Sequence, residues 1–217
     1  MIDALSHGVY RMGELFLYIV DLLLPPRRTE LLVRSLNLQI LESLSSEDGL
    51  PYHDPRITAL VWELKYYGTK RAAALAGGYL SEVLLAIAAE ELGAPLLVPV
   101  PMHKTRRRER GHNQTELLCE HVMLALRSLG GEGPVLEYKP NALTRTINTK
   151  TQQGLPRAER LKNIKNSMRV FDAEIVRGRV CIVVDDVTTT GATLAEAKRA
   201  LRAAGARAVH LVALARS

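Results

Sequence analysis

Val180 to Thr193 reads VCIVVDDVTTTGAT, and the architecture follows from it. Val180, Cys181, Ile182, Val183 and Val184 are apolar without alternation and rich in β-branching, which predicts a parallel strand buried on both faces. Asp185 and Asp186 cannot continue a buried run cheaply, because an unpaired buried carboxylate is costly. They are expected to end the strand at its carboxyl edge, where a ligand can reach them. Thr188, Thr189, Thr190, Gly191, Ala192 and Thr193 form a loop of small and hydroxyl residues. From Ala192 the spacing becomes helical, with Leu194, Ala197, Leu201 and Ala204 on one stripe and Gly205 as the stop.

Strand, acidic pair, hydroxyl loop and helix together suit a phosphorylated sugar. Backbone N–H groups and the positive end of the helix dipole can hold a phosphate, the threonine hydroxyls add donors, and Gly191 permits close approach. Carboxylates accept hydrogen bonds from vicinal hydroxyls, so Asp185 and Asp186 would face the ribose. An acidic strand end alone also fits receiver domains and metal-binding edges, but the hydroxyl loop argues against both. The chain contains neither G-x-x-x-x-G-K-[ST] nor G-x-G-x-x-G, so the common alternative phosphate cradles are absent.

The string VVDDVTTTGAT resembles the phosphoribosyl-diphosphate (PRPP) signature of type I phosphoribosyltransferases. Three further segments narrow the likeness to the ComF/GntX branch, which is linked to bacterial competence and DNA uptake. They are Trp62 to Gly68, VPVPMHKTRRRERGHNQTELL from Val98 to Leu118, and the stretch from Arg145 through Gln152, Arg157, Arg160 and Asn163 to Phe171. The resemblance covers the chain from about Ala59 onward.

It implies an α/β fold with a twisted parallel sheet and helices on both faces, binding PRPP or a nucleoside 5′-monophosphate. Phosphoribosyl transfer would release diphosphate with Mg²⁺ as cofactor. Asp185 and Asp186 would lie under the sugar as the catalytic pair, and residues 188 to 193 would hold the 5′-phosphate. His103, Lys104, Arg106, Arg107 and Arg110 would meet the diphosphate, with Arg145, Arg157 and Arg160 on a flexible hood. No protein metal ligand is indicated. Relatives that salvage 6-oxopurines carry an Asp where this chain has Thr189, so abstraction of a proton from such a base is not supported. A PRPP-responsive regulator without an acceptor and a nucleic-acid-binding accessory factor are the alternatives, and the resemblance leaves a homodimer open. Family members usually carry an N-terminal four-cysteine zinc module after a Leu-Leu-Pro-Pro-like segment. Here Leu22 to Pro26 is followed by Arg27-Arg28-Thr29-Glu30, and no cysteine comes before Cys119.

At 217 residues with 47% hydrophobic content, the chain can bury a sizeable core. Its formal charge of +6 is unevenly distributed. Residues 103 to 110 carry five Lys or Arg against Glu109, and residues 139 to 169 carry eight against Glu159, which leaves the rest net negative. Such concentration predicts an anion-focusing cleft. With 5% aromatic residues and none among residues 103 to 110, the stacking platform of a single-strand binder is not visible. Cys119 and Cys181 offer neither a disulfide framework nor a zinc site, which predicts a reducing, cytoplasmic setting.

Residues 3 to 24 have amphipathic helical spacing stopped by Pro25 and Pro26, and the charge-free run from Leu15 to Val20 is too short to span a membrane. Leu31 to Leu44 reads as one helix and Ser45 to Pro55 as a linker. This divides the chain into a helical appendage, residues 1–55, and a phosphoribosyltransferase-like domain, residues 56–217. Helical stripes follow up to Gly68 and from Ala72 to Ala88. Leu96 to Val100 is a strand delivering the basic residues into a loop, and a helix is expected from Asn113 with Glu116 in a capping-box position. Trp62 and Lys65 could reach a ligand, though a packed aromatic and a solvated lysine fit equally well. Leu143 to Arg160 reads as a mobile loop, Ala206 to Ala213 as the last strand, and His210 as a packed or edge residue.

Overall fold

The computed structural model describes residues 26–47, 49–130, 135–147 and 164–217. The helix expected over residues 3 to 24, Gln152, Arg157, Arg160 and Asn163 lie outside them. Among the described residues, five parallel strands form the central sheet in the order β1-β7-β6-β2-β3: β1 (Leu50–Pro51), β2 (Leu96–Pro99), β3 (Glu137–Tyr138), β6 (Val180–Thr188) and β7 (Ala208–Arg216). A separate antiparallel ribbon joins β4 (Thr144–Arg145) to β5 (Met168–Arg169).

Strand β6 is central because its side chains are apolar on both sides of the pleat. Ile182 and Val184 enter one core with Leu97 and Leu214, while Cys181 and Val183 enter a second with Leu96, Val98 and Val209. Helix α7 (Ala192–Ala203) covers the second face through Leu194, Ala197, Ala200 and Leu201. The first face is covered by α3 (Pro55–Trp62), α4 (Lys70–Ala89) and α6 (Gln114–Ser128). This is a three-layer α/β fold with helices on both sides.

Residues 26–55 share that core. Leu31 to Leu44 forms two helices, α1 (Arg28–Arg34) and α2 (Leu38–Leu44), because Asn37 caps the second by accepting from Ile40 N at 2.9 Å. Val33, Leu36, Leu41 and Leu50 are buried with the residues of α4 and the sheet, and Leu50 pairs with Ala215 at the sheet edge. The described part of the expected appendage is therefore continuous with the α/β core.

Helix α4 is long and apolar enough to cross a membrane by composition, with mean hydropathy 1.7. Its buried face, however, is core: Ala72, Ala73, Ala76, Leu80 and Leu84 pack inside. Small residues let α6 approach closely. A Cβ built on Gly77 would stand 2.6 Å from His121 Cβ and 2.7 Å from the His121 carbonyl carbon. Gly77→Ala must push two backbones apart and is expected to cost about 1–3 kcal/mol in urea unfolding, despite alanine's better helix propensity.

Candidate functional site

The connections from β2 and β6 run to opposite sides, β2 to β3 and β6 to β7, so the sheet has its switch point between them. Beyond Pro99 and Val184 the two strands stop pairing. A cavity of about 330 Å³ opens there, lined on one side by Val100, Pro101 and Met102 and on the other by Asp185, Asp186, Val187 and Thr189. Lys65, Tyr66, Arg106, Arg110 and Arg145 complete its charged and aromatic wall.

The acids do not end β6. The strand runs on to Thr188 because β7 continues beside it, pairing Asp185 with Ala213 and Thr188 with Arg216. Both carboxylates are consequently buried, Asp185 at 7% and Asp186 at 4% exposure. Asp185 Oδ1 accepts from Asp186 N and Asp186 Oδ1 from Val187 N, each at 2.9 Å. Burial and, next, the Asp186 charge push the Asp185 carboxyl up to about 8. Lys65 reaches Asp186 Oδ2 at 3.0 Å, an ion pair at the cavity wall.

The two acids therefore differ energetically. Asp185 binds a proton in the fold that it releases when unfolded, so it removes stability as pH rises from about 4 to 8. Asp185→Asn is expected to equal the parent near pH 4 and to melt a few degrees higher at pH 8. Asp186→Asn leaves the Lys65 ammonium without its carboxylate and should melt lower. Thermal melts of both variants across pH check this opposition.

Lys65 arrives on a π-helical turn, Glu63–Tyr67, that ends at Gly68 with φ 55°. Fully buried Glu63 clamps one side, accepting from Arg27 Nη2 at 2.9 Å, Arg27 Nε at 3.2 Å and Thr29 Oγ1 at 2.6 Å. His112 Nε2–H donates to the Leu64 carbonyl at 2.7 Å on the other. Lys65 is thus a cavity residue and not a solvated one, with a side chain 24% exposed. A lysine flanked by Glu63 and Gly68 carries no sequence mark of this role; the π turn that aims it arises from tertiary contacts.

The basic segment is a helix rather than a loop. His103 Nδ1 accepts from Thr105 N to cap α5 (Lys104–Arg110), and Gly111 closes it with φ 81°. Helical spacing then sorts the five candidates. Arg106 and Arg110, four residues apart, line the cavity. Arg107 pairs with Glu116 at 2.6 Å, His103 is spent on the cap, and Lys104 is exposed and outside the cavity lining. Asn113 caps α6, and its Nδ2 donates to Glu116 Oε1 and to the Val100 carbonyl, which ties the helix to the end of β2.

Arg145, expected on a loop, is fixed in β4 against Met168 of β5. Its guanidinium points into the cavity, its Nε is buried without a hydrogen-bond partner, and burial lowers its pKa against the raising effect of Asp185. Thr188 lies at the end of β6, and Thr189, Thr190 and Gly191 lead into α7. Gly191 has φ 73° and nothing within 4 Å of where a Cβ would stand. It brings no capping side chain to α7, and Thr190 Oγ1 reaches Ala192 N only at 3.4 Å. Open space therefore faces weakly satisfied N–H groups at the positive end of the helix, which suits an anion. Thr193 lines the main cavity.

A model of the phosphoribosyl transferase domain matches residues 79–217. The chain belongs to the phosphoribosyltransferase family. Its relatives place it in the ComF-like part of that family. It is 36% identical over 166 residues to the DNA utilization protein YhgH of Escherichia coli (strain K12), covering 75% of this chain and 68% of the relative. It is 37% identical over 123 residues to Competence protein F of Haemophilus influenzae, covering 56% and 50%. Among solved structures, a phosphoribosyltransferase from Corynebacterium diphtheriae aligns at 17% identity with a TM-score of 0.37, over 81% of this chain and 77% of that one.

Among the described residues no cluster of three or more His, Cys, Asp or Glu side chains could hold a metal ion. Cys119 and Cys181 are buried free thiols. His210 bonds Glu91 Oε1 at 2.7 Å, outside the cavity. A larger groove of about 530 Å³, lined by Leu36, Leu38, Ala74, Leu75 and Arg71 among others, shares no residue with the acidic site.

Proposed function

We propose that this chain binds PRPP across the β2/β6 switch point and transfers its phosphoribosyl group to an acceptor with release of diphosphate. The observation that carries this reading is that the buried acidic pair, Thr189, Thr193 and the Arg106/Arg110 face of α5 line one cleft, while Thr188, Thr190 and Gly191 line a neighbouring cavity that meets it at Thr189. Residues 188 to 193 would hold the 5′-phosphate, Asp185 and Asp186 the ribose hydroxyls, and Arg106 and Arg110 the diphosphate. The C1–oxygen bond breaks with its electron pair going to diphosphate, and the acceptor's lone pair forms the new bond to C1. Positive charge grows on the ribose and negative charge on the leaving group, so acids below the sugar and arginines at the diphosphate both favour the transition state.

Asp186, a carboxylate of hard oxygens at the cavity wall, would be the residue to hold Mg²⁺ here. When bound, the ion would neutralise diphosphate charge. Calorimetry of PRPP with and without Mg²⁺, then measurement of diphosphate release with candidate acceptors, tests the reading. Binding without release for any acceptor would make the chain a PRPP-responsive protein, and no PRPP binding would remove the proposal.

A second reading draws on the aromatic surface beside the cavity. Trp62, Tyr66 and Tyr67 are 41%, 46% and 50% exposed, with Arg110 over the Tyr66 ring and Arg27 over the Tyr67 ring. The sequence hid this, because the aromatics and the arginines come from different segments. Such a surface suits single-stranded nucleic acid, in keeping with relatives named for DNA utilization and competence. Binding that falls steeply with salt would support it. Cytoplasmic residence, proposed on the two reduced thiols, accords with either role.

A further inference from the structure

We propose that Glu196 is a positioning residue for the cleft: from α7 it clips β5 in place, and through β5 it holds the Arg145 guanidinium in the cavity with Arg106, where the two take one anionic group, the diphosphate. This rests on the phosphoribosyl reading above.

Glu196 is 5% exposed and lies on α7 outside the cavity lining. Arg199 compensates its burial, with Nε donating to Oε2 and Nη2 to Oε1, each at 2.8 Å. The pair then grips one residue of the ribbon. Met168 N donates to Glu196 Oε1 at 3.2 Å, and Arg199 Nη2 donates to the Met168 carbonyl at 3.1 Å. Register makes both backbone groups available. Thr146 N donates to the Ser167 carbonyl at 2.9 Å, and bonded and non-bonded pairs alternate along an antiparallel ladder. The neighbouring Arg145/Met168 pair therefore exchanges no ladder bonds, and the Met168 N–H and C=O point outward to α7. The Met168 side chain is buried in one core with Leu194 and Ala197 of that helix.

Arg145 stands directly opposite Met168 and reaches the cavity that Arg106 lines from α5. Its Nε is buried without a hydrogen-bond partner. Burial disfavours its charge, Asp185 and Glu196 favour it, and Arg106 opposes it. Two guanidiniums from separate elements thus repel across one cavity, and an anion between them turns that repulsion into attraction. Strands of two residues each have too few ladder bonds to hold a charge there unaided, so the clip on α7 supplies the anchorage. Because α7 follows directly on Gly191, one helix sets both the loop proposed for the 5′-phosphate and the arginine proposed for the diphosphate.

Calorimetry of the whole chain with PRPP and ribose 5-phosphate, at one fixed salt and Mg²⁺ concentration, tests this through the ratio of the two affinities. Arg145→Ala is expected to weaken PRPP about tenfold or more, the worth of one charge-assisted hydrogen bond, and ribose 5-phosphate less than about threefold. Glu196→Ala should lower the ratio about fivefold or more, whereas Glu196→Gln, which still accepts from Met168 N, should keep it within about threefold of the parent. In the Arg145→Ala background Glu196→Ala should change the ratio less than about twofold, since the side chain it positions is gone. If Glu196→Ala does not fold, Arg199→Ala, which releases the Met168 carbonyl, takes its place in the same cycle. A folded Glu196→Ala with the parental ratio, or an equal fall in both backgrounds, overturns the positioning role. Equal weakening of both ligands by Arg145→Ala overturns the placement of Arg145 at the diphosphate, and a parent that does not bind PRPP overturns the phosphoribosyl reading itself.

Discussion

Gly191→Val is expected to abolish PRPP binding, with loss beyond about 1000-fold, while the protein remains folded. The space around the absent Cβ is empty within 4 Å, so the Cβ of a substituted residue meets no protein atom. It would instead stand in the opening before α7 where the 5′-phosphate is proposed to lie. A second effect acts with it: φ is 73°, a left-handed conformation that a β-branched residue adopts at a cost of about 1–3 kcal/mol. The loop is thus expected both to be filled and to be drawn toward another conformation. Gly191→Ala keeps most of the space and separates the two contributions. Calorimetry with PRPP beside a melting curve checks the result, and parental affinity in folded Gly191→Val would place the phosphate elsewhere.

The double change Arg106→Ala and Arg110→Ala should weaken PRPP about 100-fold or more and ribose 5-phosphate less than about fivefold. Each charge-assisted hydrogen bond is worth about 1.5–3 kcal/mol, and only PRPP carries the groups these side chains would meet. Arg107→Ala is the internal comparison, because Arg107 pairs with Glu116 and does not line the cavity. Its loss should leave the PRPP to ribose 5-phosphate ratio near the parental value. Equal weakening of both ligands by the double variant would move the diphosphate away from α5.

The central strand, the helix after Gly191 and the strand before the basic segment were legible because their apolar spacing is set by burial in a parallel sheet. The acidic pair was legible for the opposite reason, as charge placed where burial forbids it without compensation. The sequence could not show that β6 continues through both acids, since that depends on β7 running beside it to Arg216. It showed five basic residues near the site but not the helix that turns Arg106 and Arg110 inward; a His103 cap and Gly111 were the available signals. Arg145 read as mobile because β4 is only two residues long and its partner β5 lies far along the chain. Lys65 and Tyr66 reach the cavity through a π turn fastened by Arg27 and His112, contacts that no local pattern encodes.

The two-residue strand β1 has a bearing on the order in which the chain assembles. Its partners, Ala215 and Arg216, belong to the last element of the sheet, so this pairing closes nearly the longest loop in the described chain. By contrast β6, α7 and β7 are consecutive and can form one βαβ unit from neighbouring residues. Loop-closure entropy places the local unit early and the β1 pairing late. During synthesis Leu50 emerges long before Ala215, so its segment waits without an edge to join, its apolar side chains awaiting cover. The sheet edge at β1 is thus completed from the far end of the chain, after the unit that carries the acidic pair.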